Sequence, residues 1–158
     1  VDDSIRYIYK GFSYKEFTLE MSFESGDFVY GFYDLISSED GVFFVIRPRI
    51  RSGIMILDIG HTPDRFYLDY LFEKKTKVTI SIVFEKFKTS CYINGFFIGD
   101  NIFENERQAI ALRFKIGYLD ARFFDGVFNS IRIYNKALPS EEIQHNYQID
   151  KKRFNIIE

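Results

Sequence analysis

The 158-residue sequence contains no tryptophan, one cysteine, two histidines and three prolines. A single thiol, Cys91, cannot close an internal disulfide, and a chain of this length buries enough core to stand without one. Cys91 alternates with Tyr92 and Ile93 in a strand-like run, the setting of a buried, inert thiol. With only His61 and His145 there is no histidine cluster to bind a metal, and nothing pairs either with Cys91 as a base. His61 reads as a turn residue in its Thr-Pro-Asp loop, and His145 as a surface contact on a helix. An excess of charge of one sign is also lacking: 21 Lys+Arg face 23 Asp+Glu, a net of -2. A dedicated nucleic-acid binder would carry a basic field. No apolar run approaches the ~20 residues that cross a bilayer.

What the chain does have is aromatic residues. Nineteen Phe and eleven Tyr bring the aromatic share to 19%, within a hydrophobic share of 46%. Flat and β-branched side chains pack well on a pleated surface, so this composition forms strands. It is also what a sugar- or partner-binding surface would contain. Periodicity has to separate the two.

Period-2 alternation dominates, broken by turn signals about every eight to twelve residues, as in a sandwich or barrel. Phe17, Leu19, Met21 and Phe23 share one face of a strand. Further strands are predicted over 28–36, 42–47, 53–59 and 66–72, the second and third forming a hairpin around Pro48. The clearest strand, 77–84, turns Val78, Ile80, Ile82 and Phe84 inward and Thr79 and Ser81 outward. A strand over 90–93 leads to Asn94-Gly95, a two-residue hairpin signal in which both positions tolerate positive φ. The next strand covers 96–99, and another carries Ile110, Leu112, Phe114 and Ile116 on its core face. In the last strand, 127–134, Phe128, Ile131 and Ile133 reach one face only with an extra residue, which predicts a β-bulge near Asn129-Ser130. One short helix is expected from Ser140, as its cap, to about Tyr147, with Glu141 and Glu142 at the positive end of the dipole. The tail Lys151-Lys152-Arg153-Phe154 is basic, with Phe154 as a possible anchor.

These residues resemble a known family. Cys91-Tyr92-Ile93-Asn94-Gly95 resembles the "L-Y-V-N-G" hairpin of laminin-G-like, concanavalin A-like jelly-roll domains. The segment from Phe124-Asp125-Gly126 through Ile131-Arg132-Ile133-Tyr134-Asn135-Lys136-Ala137-Leu138 to Glu141-Glu142-Ile143 resembles that family's closing motif. Val1-Asp2-Asp3 resembles its "G-V-D-D-Y-V". The tail from His145-Asn146-Tyr147 to Arg153-Phe154 is similar to versions in bacteriophage and gut-bacterial surface proteins. The resemblance implies an all-β, two-sheet antiparallel jelly-roll sandwich with a short C-terminal helix, filling residues 1–158 as one domain. Pro139 departs from the family by standing where a Ser or Thr cap is usual. The family's first strand, upstream of "V-D-D", has no counterpart. A start at Val1 fits a piece of a longer protein.

The chemistry is sparse. The "E-x-D-x-E" strand of related glucan-cleaving enzymes is absent, and Glu20, Asp69 and Glu85 stand singly, so no enzyme is expected. Calcium is the one cofactor to weigh. Asp100 and Asn101 with Asn105, and Asp120 beyond the next strand, offer hard oxygen ligands, although Asp and Asn also populate turns. Arg47, Arg49 and Arg51 are the densest charge, on one loop, and suit the carboxylate or sulfate of an acidic glycan; a solvated loop is the alternative. Tyr30, Tyr67, Tyr92 and Tyr118 fall where they could line a sheet face or rim. Tyr67 and Tyr118 are the ligand-binding candidates among them. The expected function is a non-catalytic binding module of a larger extracellular, cell-surface or virion protein, with a glycan as partner. The alternative is a protein–protein adhesion or decoration domain without a glycan site. Its other partners would be a surface protein and the remaining domains of its parent chain. Neither nucleic acid nor membrane insertion is expected.

Overall fold

The computed structural model describes residues 5–26, 36–38, 45–51, 54–60, 66–70, 73, 75–107, 110–116, 118–119 and 122–157. The chain forms two compact units, and it passes back and forth between them. One unit holds a six-stranded sheet of β1 (Ile5–Tyr14), β3 (Ile36–Ser38), β4 (Val45–Arg51), β5 (Ile54–Gly60), β6 (Phe66–Asp69) and β10 (Ile110–Ile116), in the order β1-β10-β3-β4-β5-β6. A small ladder of β11 (Tyr118–Leu119) and β12 (Arg122–Phe123) accompanies it. The other unit holds β2 (Phe17–Ser25), β7 (Lys77–Phe84), β8 (Lys88–Ile93), β9 (Phe96–Ile102) and β13 (Gly126–Tyr134), in the order β13-β2-β7-β8-β9, with helix α1 (Ser140–Phe154). Every described pairing is antiparallel.

In the five-stranded unit the alternation works as expected on one face. Register sets Phe17 opposite Phe84, Leu19 opposite Ile82, Met21 opposite Ile80 and Phe23 opposite Val78, all of them buried. Each such side chain contributes about 1.5–3 kcal/mol by leaving water. The Phe17 and Phe84 rings stack with centroids 4.3 Å apart. The β13 bulge falls where the spacing demands it. Register shifts between Phe128 and Ser130, and the shift lines up Phe128, Ile131 and Ile133 with Phe23, Met21 and Leu19. At Asn94 and Gly95 both φ values are positive, as the hairpin signal requires. A Cβ on Gly95 would come within 3.0 Å of the Tyr147 ring, so the residue is needed for close approach as well as for its turn.

The opposite face of this sheet departs from expectation. Thr79 and Ser81, read as outward and wet, are buried, as are Thr18, Glu20 and Ser22 on the neighbouring strand. Ile143, Tyr147 and Asp150 form the buried side of α1, whose residues bond to this face. The helix is twice the predicted length and takes in the basic tail as its last turn. Pro139, not Ser140, is the N-cap residue, and its carbonyl accepts from the Ile143 N–H at 3.2 Å. No side chain caps this end, since Ser140 is already helical. Asn155 ends the helix in the left-handed conformation, its N–H turned back to the Lys151 carbonyl, and Lys77 Nζ donates to the Phe154 carbonyl at 2.9 Å. Upstream, Thr18 Oγ1 donates to the Lys136 carbonyl and accepts from the Leu138 N–H, both at 2.9 Å, which pins the approach to α1.

β1 was not anticipated. The strand predicted over 28–36 falls mostly outside the described residues, as do Tyr30 and His61.

Candidate functional site

The Arg-rich segment is a strand and not a loop. β4 runs through Arg47-Pro48-Arg49-Ile50-Arg51 and pairs along its whole length with β5. Proline suggested a turn because it has no N–H to give a ladder. Here Pro48 stands within the ladder, opposite Leu57 of β5.

Strand alternation then decides what the arginines share. Arg47, Arg49 and Arg51 occupy alternate positions, and cross-strand partners lie on the same face. Arg47 stands opposite Asp58, which stands opposite Tyr67. Arg49 stands opposite Ile56, which stands opposite Asp69, and Arg51 stands opposite Ile54. On the β3 side, Val45 partners Ser37 and Ser37 partners Lys115, so Lys115 and Arg113 of β10 belong to this face too. The alternate positions are apolar except for Ser38 opposite Phe114: Ile46, Pro48 and Ile50, then Met55, Leu57 and Ile59, then Phe66 and Leu68, with Leu112, Phe114 and Ile116. A sheet with one core face and one wet face has this pattern. Tyr67, with 41% of its surface exposed, shows that the polar face reaches solvent at β6.

Four of the five ligand-binding candidates thus fall on two strands of one sheet, Arg47, Arg49 and Arg51 on β4 and Tyr67 on β6, with β5 between them. The fifth, Tyr118, lies on β11 opposite Phe123, outside that sheet. Asp58, Arg113 and Lys115 were missed, and Asp69 was read as a stray carboxylate. Only strand register could have found them. Tyr92 packs edge-on against Phe97, with ring centroids 5.6 Å apart, and takes part in the cluster around Val83, Leu138 and Ile143. Its place is structural. Asp100 and Asn101 lie within β9 opposite Ser90 and Thr89, and adjacent strand residues diverge to opposite faces. Asp120 is outside the described residues. Among those described, no group of three or more His, Cys, Asp and Glu side chains could hold a metal ion. Burial pushes the Cys91 thiol up, away from the reactive thiolate.

A second polar cluster lies beneath α1. The Glu20 carboxylate is 1% exposed. It accepts from Ser81 Oγ at 3.2 Å, Tyr134 Oη at 3.0 Å and Asn146 Nδ2 at 3.2 Å, with Arg132 Nε 3.3 Å away. The Arg132 fork also holds Asp150, which is fully buried, with Nη1 donating to Oδ1 at 2.9 Å and Nη2 to Oδ2. Burial raises the Glu20 carboxyl, and Arg132 with the three hydrogen bonds works against that. Burial works against the Arg132 charge, but the Asp150 and Glu20 carboxylates hold it above its ordinary value. Tyr134 is pushed up to about 12 by burial and by the Glu20 charge. Both carboxylates of this cluster are buried. The cluster joins β2, β7 and β13 to the helix.

No protein-family profile and no curated protein matches the sequence. Solved structures do. A candidate carbohydrate-binding protein of Bacteroides ovatus superposes with a TM-score of 0.74 at 14% identity, over 90% of this chain and 44% of that one. The chain therefore spans less than half of that protein. Domain 4 of an extracellular arabinanase from Geobacillus stearothermophilus, in complex with arabinotriose, gives 0.66 at 16% identity, over 90% and 71% of the two chains. A heptameric pentraxin from Limulus polyphemus gives 0.64 at 14%, over 84% and 69%. These likenesses establish the fold class, an all-β antiparallel two-sheet jelly roll with a C-terminal helix. Among the described residues no helix is long and apolar enough to cross a membrane.

Proposed function

We propose that the chain is a non-catalytic carbohydrate-binding module of the laminin-G-like kind, carried by a larger extracellular protein on a cell or virion surface. The observation that carries this is the gathering of Arg47, Arg49, Arg51, Asp58, Asp69 and exposed Tyr67 on one face of β4–β6. Polar groups fix orientation there, and a tyrosine ring offers a flat platform to the C–H surface of a sugar. Structures of the same fold that are described as binding carbohydrate, or that hold arabinotriose, support it. A glycan array probed at millimolar calcium, with and without chelator, is expected to show weak binding that Tyr67→Ala lowers about tenfold, or about 1.4 kcal/mol. Binding abolished by chelator would bring Asp100, Asn101 and Asp120 back as ligands. No glycan bound in either condition would remove the reading.

One observation favours a second reading, an assembly domain. β9 is an edge of its sheet and presents Phe96, Phe97 (56% exposed) and Ile102 (73% exposed), with Ile98 and Phe87 beside them. It carries none of the lysines or prolines that blunt natural edges, and Asp100 is its only charge. Side chains of about 150–250 Å² each, roughly half exposed, amount to on the order of 500 Å² per copy. Two copies would bury about 1,000 Å², the lower limit of a specific interface. The occupant that fits is a second copy pairing antiparallel about Gly99, which sets Ile102 against Phe96 and keeps the two Asp100 apart. Sedimentation should then show a concentration-dependent dimer that Ile102→Lys dissociates. A monomer at all concentrations would exclude it.

A further inference from the structure

We propose a second carbohydrate site in the five-stranded unit, beside α1 on the β8–β9 hairpin, with Phe97 as ring platform and a sugar free of acidic groups as ligand; this rests on the carbohydrate-binding reading above. Strand register assembles the floor. Ser81, Tyr92 and Phe97 stand opposite one another in a row across β7, β8 and β9. Ser81 Oγ bonds to the Glu20 carboxylate that Asn146 of α1 also reaches, so the row lies on the helix-side face. Tyr92 packs against the cluster of Val83, Leu138 and Ile143, and holds Phe97 edge-on from beneath. At Phe97 the cover ends, and its ring is open to solvent. Ser90 and Asp100 belong to the next row of this face, two residues along β8 and so about 7 Å away. A pyranose lying on Phe97 therefore brings a hydroxyl within reach of the Asp100 carboxylate.

The helix adds amides along one side. Glu142 and Asn146 lie on the flank that bonds Lys136 and Glu20. Helical spacing puts Gln144 and Gln148 on the opposite flank, one turn apart, and Tyr147 against Gly95 brings that flank alongside the hairpin. Both glutamines are exposed, and neither side chain has a hydrogen-bond partner among the described residues. Such amides offer a donor and an acceptor each to sugar hydroxyls. Charge then selects the ligand. Lys88 Nζ pairs with Glu85 at 3.0 Å, whereas Asp100 and Glu141 have no ion-pair partner among the described residues. Burial raises the Tyr92 hydroxyl, Lys88 works against that, and Glu85, Asp100 and Glu141 add to it, so all four charges stand about this row. Carboxylates outnumber the ammonium there three to one, which repels uronate and sulfate groups while leaving oxygens to accept from hydroxyls. This is the helix-side face of β9, and not the main-chain edge on which a second copy would pair.

The test is a titration of the intact, isotope-labelled chain, followed by amide chemical shifts. The probes are three neutral sugars, arabinotriose, N-acetylchitotriose and carboxyl-reduced trigalacturonate, with trigalacturonate as the acidic member. At least one neutral sugar should move the amides of Phe97, Asp100, Gln144 and Gln148. The dissociation constant read at those amides should rise about tenfold in Phe97→Ala and stay unchanged in Tyr67→Ala. Gln148→Ala, on the exposed flank, gives the same reading where Phe97→Ala does not fold. Trigalacturonate should leave these amides in place until D100N/E141Q removes the two charges. Its binding there to wild type as tightly as the carboxyl-reduced form would overturn the exclusion of acidic sugars. Shifts confined to β4–β6 would overturn this site and leave the carbohydrate module standing. Shifts at β9 that follow protein concentration instead of sugar would give Phe97 to a second copy and overturn the site as well. No shift from any of the four sugars would overturn both this site and the module.

Discussion

Replacing Arg132 by methionine is expected to cost about 3 kcal/mol of stability at neutral pH, the lower end of the range for breaking a buried ion pair. Methionine fills much of the same volume but leaves two carboxylates, Glu20 and Asp150, without their shared cation. Both are buried, and hydrogen bonds from Ser81, Tyr134 and Asn146 offset only the Glu20 charge. The lower end applies because the Arg132 side chain is 28% exposed, so water can reach part of the gap. The loss should depend on pH in a definite direction. Burial already raises the Glu20 carboxyl, and losing the cation that opposes this raises it further; a raised carboxyl contributes stability below its unfolded value that disappears as pH climbs through the folded one. The gap between variant and wild type should therefore be widest near pH 8 and narrow on acidification towards about pH 4. Arg132→Lys should recover part of the loss through charge alone, since it lacks the fork that takes both oxygens of Asp150. Urea melts across that pH range check this. A variant as stable as wild type at high pH, or a gap that ignores pH, would mean the cluster is not what ties the helix down.

That cluster shows where sequence stops being legible. The alternation of β2 put Glu20 on the face away from Phe17, Leu19, Met21 and Phe23, and that much is right. Nothing near Glu20 announces its partners, because Ser81, Tyr134 and Asn146 lie 61, 114 and 126 residues away. Asp58 and Asp69 are much nearer in sequence to the arginines, but only strand register puts them on the same face. Local signals fared better. Asn94-Gly95 and the β13 bulge depend on backbone rules that act over two or three residues, and both are where expected. The helix start was misplaced by one residue and its length by a factor of two. Ile143 and Tyr147 mark its apolar stripe, but the next buried residue, Asp150, is charged and ended the pattern too early. Pro48 misled in the opposite sense, as a breaker that in fact lies inside a strand.

Phe84→Ala should be the costliest single truncation in the five-stranded unit, about 3–5 kcal/mol. Two side chains, Phe17 and Arg107, pack on this ring. Phe17 stacks on it at 4.3 Å with planes 14° apart. The Arg107 guanidinium sits 5.1 Å from its centroid and 4.9 Å from that of Phe103, so a buried cation lies against two aromatic rings. Arg107 also donates from Nε to the Glu85 carbonyl at 3.3 Å, from Nη2 to Thr89 Oγ1, and from its backbone N–H to the Lys86 carbonyl. Removing the ring opens a cavity against Phe17 and strips one face from the guanidinium. Phe84→Leu separates the two effects. It retains most of the buried volume and should cost less than about 2 kcal/mol if packing dominates. A cost equal to that of alanine would instead mean that the ring's face, with its cation contact of about 0.5–2 kcal/mol and its stack, outweighs its volume. Arg107→Met in both backgrounds closes a double-mutant cycle. Coupling below about 0.5 kcal/mol would show that Arg107 is held by the Glu85, Lys86 and Thr89 oxygens alone. Larger coupling would make the aromatic pair part of how the β7–β8 turn is fixed beside the exposed edge of β9.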